Sequence, residues 1–149
     1  MENTSKSSSI EQMEAEKYIF SLVENWLGIP LDANKKLLTV NTYIEPDFYS
    51  EEGKIIGEIY AHIGKMKPAH DHKISKDILK MMLYDKRTNC CYRKILVVCD
   101  EIVEKQLKGQ SILAECIAEF GIEVKRIDLP EEWRSKILSA QSRQRMVNA

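Results

Sequence analysis

Apolar residues recur every three or four positions in some stretches of this chain and run or alternate in others, and that contrast lays out an order of elements. In residues 10–27, Met13, Tyr18, Ile19, Leu22, Val23, Trp26 and Leu27 fall at helical spacing. Ser9 is a candidate N-cap, Glu11 is an acid in the first turn, and Gly28-Ile29-Pro30 stops the helix. Residues 37–43 mix Leu, Thr, Val and Tyr as strands do. Pro46 to Tyr49 is a short extended arm, Ser50-Glu51-Glu52-Gly53 is a turn whose glycine supplies positive φ, and Lys54 to Ile63 is a second, isoleucine-rich arm. Residues 37–43 are expected to pair with this hairpin as its first strand. Gly64 to Pro68 ends the hairpin. Residues 73–85 then form a helix with Ile74, Ile78, Met81 and Met82 inward and Lys73, Lys76 and Lys80 on the opposite side.

Residues 93–99, RKILVVC, carry the unbroken apolar run of a strand buried on both faces. A helix follows over residues 102–120 with a break at Gly109, closed by Gly121 at C′. Residues 122–129 make a last strand, and Pro130 opens a helix over residues 131–140. A strand, helix, strand order with short links requires a crossover, so the last two strands are parallel. The whole reads as an α/β fold: a mixed sheet of about five strands, an antiparallel hairpin unit plus a parallel βαβ unit, flanked by helices. Residues 10–140 form one domain, between a disordered serine-rich tail at residues 1–9 and a polar, fraying tail at residues 141–149.

Candidate chemistry gathers on the hairpin. Side chains alternate along a strand, so Glu58, Tyr60 and His62 share one face while Ile59, Ala61 and Ile63 share the other. Folding the arms together brings Asp47 near Glu58. Two convergent carboxylates suit a hard cation such as Mg²⁺ or Mn²⁺, which keeps waters free for a phosphate substrate. The order Pro46-Asp47, an eleven-residue step to Glu58, a residue two further on and then a helix resembles the PD-(D/E)XK nuclease superfamily, over roughly residues 10–128. The resemblance implies a restriction-endonuclease-like core in which Asp47 and Glu58 ligate Mg²⁺ or Mn²⁺ and Ile59 lends its carbonyl. It also implies a catalytic lysine at the position that Tyr60 holds here. A tyrosine is neutral at pH 7 and supplies no cation. A relocated lysine is then expected, and Lys65, Lys73, Lys76 and Lys80 all follow closely, with Tyr60, Lys65 and Lys73 carried as catalytic candidates. The family pattern further leaves room for a first-helix glutamate, Glu16 or Glu24, which by periodicity alone sits on a solvated face.

The formal net charge of −1 removes any argument for nucleic acid from bulk charge, so a binding face must be local; a lysine stripe on the helix of residues 73–85 would be one. His62, His70 and His72 match no closed zinc pattern; His62 is a strand-face residue, able to serve as a base or to be structural, and the other two are loop residues. Cys90, Cys91, Cys99 and Cys116 lack CxxC spacing and read as reduced thiols of a cytoplasmic protein, and neither a leader nor a membrane-length apolar run is present. The expected activity is metal-dependent hydrolysis of DNA phosphodiesters, by a homodimer or with a partner protein. The alternatives are a catalytically inactive nuclease-fold module for nucleic-acid binding or assembly, and an unrelated α/β domain with Asp47 and Glu58 on its surface.

Overall fold

The computed structural model describes residues 2–148. Helix α1 spans Glu2–Leu27. Residues 2–9, expected as a disordered tail, are therefore helical backbone, and Ser9 lies inside the helix rather than capping it. The chain then lays down β1 (Asp32–Ala33), β2 (Leu37–Leu38), β3 (Tyr43–Ile44), β4 (Phe48–Ser50) and β5 (Ile55–Tyr60). After these come α2 (Pro68–Thr88), β6 (Arg93–Val98), α3 (Glu101–Leu107), α4 (Ile112–Glu119), β7 (Glu123–Arg126) and α5 (Glu131–Asn148).

Five strands form one mixed sheet in the order β1-β4-β5-β6-β7. Strands β1, β4 and β5 pair antiparallel, and β5, β6 and β7 pair parallel. The expected hairpin and parallel unit are both present. The first strand of the antiparallel unit is not the expected one. Leu37 and Leu38 pair instead with Ile44 and Tyr43 in a separate two-stranded ribbon. Thr39 and Thr42 close that ribbon, with the Thr39 N–H donating to the Thr42 carbonyl and the Thr42 N–H to Thr39 Oγ1. Once this local turn captures residues 37–44, the sheet edge is left to Asp32 and Ala33.

The hairpin turn also differs in detail. Its positive φ falls on Lys54 (54°), not on Gly53. A Cβ at Gly53 would stand 2.8 Å from Ile29 Cδ1, a contact that the half-buried Ile29 side chain can relieve by shifting its end.

The sheet divides two apolar layers. Ala15, Ile19 and Val23 of α1 and Ile137 of α5 cover Phe48, Ile55, Ile59, Ile95 and Val97 on one face. On the other, Ile74, Ile78 and Met81 of α2, with Val103, Leu107 and Ile117, cover Tyr49, Ile56, Tyr60, Leu96 and Val98. Both faces of β5 and β6 are thus dry, as the apolar run of residues 93–99 implies.

Helix α2 is longer than expected at both ends. Pro68, whose missing N–H costs nothing in a first turn, opens it, and Asn89 in the left-handed region (φ 52°) ends it. His70 and His72 are consequently helical residues, not loop residues. The expected break at Gly109 separates α3 from α4, and Ser111 caps α4 by accepting from the Ala114 N–H. Helix α5 continues eight residues past the expected end because residues 141–143 are tied down. Gln141 takes the Ile63 N–H and returns a bond to its carbonyl, and Arg143 pairs with Glu11 of α1. All four cysteines are free, and among the described residues no helix is long and apolar enough to cross a membrane.

Candidate metal and phosphate site

The antiparallel register sets Phe48 opposite Gly57, and one step further along both strands sets Asp47 opposite Glu58. Asp47 leaves β4 just where β1 no longer flanks it, so its carboxylate turns across the end of the hairpin and accepts the Ile59 N–H at 2.7 Å. Its other neighbour is the Glu58 side chain, which shares a hydrogen bond with it. A hydrogen bond between two carboxyl groups needs a proton. Burial, then the charges of Asp47 and Asp77, push the Glu58 carboxyl up to about 10, with Lys73 opposing. Glu58 is 6% exposed and carries that proton at neutral pH.

Helix α2 brings a cation over this pair. Lys73 Nζ lies 3.2 Å from Asp77 Oδ2, and Lys80 Nζ 3.9 Å from Asp77 Oδ1. Burial alone would lower the Lys73 pKa; Asp77, Asp47 and Glu58 outweigh it and hold the ammonium above its ordinary value. Lys73 is therefore a positive charge under the influence of the carboxylates; its side chain is 58% exposed and that of Lys80 39%, so both keep to the outward side expected of them while reaching back to the buried Asp77. From the opposite face, α1 supplies Glu16. Burial and then Asp47 raise its pKa, while Lys73 and a hydrogen bond from Gln12 oppose them. Gln12 in turn donates to the Ala61 carbonyl at 2.9 Å, fixing α1 against the end of β5. A cavity of about 200 Å³ opens here, lined by Glu16, Lys17, Asn34, Asp47 and Ile59 among others.

Of the expected site residues, Asp47, Glu58, Ile59 and Lys73 come together and Tyr60 and Lys65 do not. The Tyr60 ring sits in the core layer under α2, 7% exposed, its hydroxyl without a hydrogen-bond partner among the described residues and Asp71 the acid that acts on it. Burial raises its pKa, so it stays neutral. Lys65 lies beyond the strand in a groove toward α5. Glu24 is excluded from the site because it accepts the Leu31 N–H and holds the α1 to β1 turn. His62 reaches the Lys65 carbonyl, and burial lowers its pKa. Asp77 was not anticipated. Its signal was present as the one acid within the apolar stripe Ile74, Ile78, Met81, four residues after Lys73.

The fit of a divalent cation rests on the Asp47 and Glu58 pair. Two carboxylates forced together in a dry place need a compensating positive charge, here a proton, and a hard cation is the alternative. Among the described residues no group of three or more His, Cys, Asp or Glu side chains converges as a metal cluster. A cation here would be held by the Asp47 and Glu58 side chains alone, with its other positions left to water. Comparison with family models, curated proteins and solved structures yields no match.

Proposed function

We propose that this domain is a restriction-endonuclease-like phosphodiesterase that hydrolyses DNA with Mg²⁺ or Mn²⁺. The observation that supports it most is the placement of Lys73: with tyrosine at the strand position where the resembling family has lysine, a helix-borne ammonium faces the same two carboxylates. In this reading Asp47, Glu58 and the Ile59 carbonyl hold the metal, which supplies Lewis acidity and an acidified water when bound. Asp47 is oriented by the Ile59 N–H, so its free oxygen is directed rather than freely rotating. Glu58 must release its proton to serve as a ligand. Lys73 stays protonated and offsets charge that develops on the phosphate, with Asp77 holding it in place. Glu16, beside Asp47 at the cavity wall, accepts a hydrogen bond or a proton from water entering there.

Plasmid nicking in Mn²⁺ tests this. The native chain is expected to nick supercoiled DNA, and Lys73→Met to slow it about a hundredfold while Mn²⁺ binding persists. An unchanged rate in Lys73→Met would remove the lysine from the mechanism. Metal and DNA binding without any nicking by the native chain favours the inactive module, a reading that the tight Lys73 to Asp77 pair also suits.

A further inference from the structure

Past the end of β5 the chain enters residues 61–67 and crosses toward α5. Between that loop and α5 lies a groove of about 700 Å³. Its lining includes Lys65 and Lys67 from the loop, Arg145 from α5 and the imidazoles of His62 and His70, and contains no aspartate or glutamate. Among the described residues Lys65, Lys67 and Arg145 have no ion pair, and the ion pairs formed there lie elsewhere. On a chain of net charge −1, three unpaired cations in one concavity are a local excess. A low-dielectric groove lined by one sign of charge focuses the field on an oppositely charged ligand. The positive end of the 21-residue α2 opens beside Lys67 and adds to it.

The groove is built rather than incidental. Gln141 of α5 clamps the Ile63 N–H and carbonyl at 2.9 and 3.0 Å. Asp100, itself bound by Arg134 of α5, accepts the Gly64 N–H at 3.0 Å. Gln106 of α3 accepts the Met66 N–H at 2.7 Å. Three successive anchors therefore fix the loop that carries Lys65 and Lys67 against the helix that carries Arg145. Within the groove the His62 and His70 ring centroids are 4.4 Å apart, and burial keeps both rings neutral at pH 7. The two rings are tilted by 50° and His62 also stacks on Tyr60 at 5.5 Å, so an aromatic cluster stands beside the row of cations, a combination that takes a base by stacking and the backbone by charge. His62 is four residues from Glu58, so the groove starts no more than about 14 Å along the chain from the carboxylate pair.

We propose that this groove binds a single-stranded nucleic-acid segment, with phosphates at Lys65, Lys67 and Arg145 and a base against the His62 and His70 rings, and leads that strand to the Asp47 and Glu58 site. The role of the strand as substrate rests on the proposed phosphodiesterase reading; its binding does not. This gives Lys65 a binding role outside the reacting centre. A base can stack on the His62 and His70 rings only when it is unpaired, so single strands are preferred over duplex.

Fluorescence anisotropy with a labelled twelve-nucleotide single strand and the matching duplex, both in EDTA, tests the groove without cleavage. The native chain is expected to bind the single strand more tightly than the duplex. Lys65→Glu with Lys67→Glu is expected to weaken binding at least about tenfold, and Arg145→Ala to lower the slope of log affinity against log salt by about 0.7. These side chains are at the surface, and circular dichroism melts check that the variants fold. His62→Ala with His70→Ala should weaken single-strand binding while leaving the salt slope unchanged, which a purely electrostatic surface would not show. Absence of single-strand binding by the native chain, tighter binding of duplex, or unchanged affinity in the double lysine variant overturns the proposal. Mn²⁺ binding at Asp47 and Glu58 is measured separately, so loss of either reading leaves the other decided on its own result.

Discussion

Glu58→Gln is expected to make the protein more stable, by about 2–3 kcal/mol at pH 7 in metal-free buffer, while removing metal binding and nicking. The sign follows from the protonation of the folded chain. Burial, Asp47 and Asp77 raise the Glu58 pKa from 4.5 toward about 10, so between those values the folded state holds a proton that the unfolded state has released. Stability then falls as pH rises through that window, by up to roughly 1.4 kcal/mol per unit. Glutamine keeps the shape and the hydrogen bond to Asp47 and has no proton to lose. Denaturant unfolding of both chains between pH 4 and pH 8 checks this: the variant's advantage should vanish near pH 4 and grow steadily above it. A difference that is flat with pH would mean that Glu58 is not held protonated.

Gly57→Ala is expected to cost about 3 kcal/mol, at the upper end of overpacking effects. A Cβ at Gly57 would stand 2.0 Å from Phe48 Cζ and 2.2 Å from Cε2. The Phe48 ring is 0% exposed, packed in the layer beneath α1 and α5, and has nowhere to swing. Gly57 lets that ring lie flat across its own backbone, and the close fit of Phe48 on Gly57 holds the register that sets Asp47 opposite Glu58. Shrinking the ring should relieve the clash. In a double-mutant cycle, Gly57→Ala with Phe48→Ala is expected to cost at least about 1 kcal/mol less than the sum of the single changes. Simple additivity of the two would show that the ring is not the obstacle.

The elements with strong periodicity were legible from the sequence. The apolar run of residues 93–99, the Gly109 break and the parallel crossover to β7 follow from length and pattern, and the structure carries each. Short elements were not. Which of residues 32–33 and 37–38 joins the sheet depends on a Thr39 to Thr42 turn whose local bonds outcompete sheet pairing, and a two-residue strand leaves no alternation to read. The ends of α2 were misjudged because Pro68 and the left-handed Asn89, rather than the neighbouring residues, start and stop it, and the end of α5 because long-range ties, Gln141 to Ile63 above all, stabilise turns that a local reading assigns to polar tail. At the site, folding the two hairpin arms together put Asp47 near Glu58, and the Ile59 carbonyl entered only through the family resemblance. The choice among Lys65, Lys73, Lys76 and Lys80 was beyond it, since helix phase relative to the sheet is fixed only by packing. The apolar stripe Ile74, Ile78, Met81 marked the inward face, and Asp77 within it was the local sign that a lysine one turn away would be drawn to that face's edge.

The central claim is that Asp47 and Glu58 form one divalent-cation site. Titration calorimetry with Mn²⁺ at pH 7, repeated in two buffers of different ionisation enthalpy, tests it most directly. Binding is expected at one site per chain with release of close to one proton, because the proton that Glu58 shares with Asp47 must leave, and both Asp47→Asn and Glu58→Gln should abolish it. Absence of binding at millimolar Mn²⁺, or binding that survives both substitutions, would contradict the account.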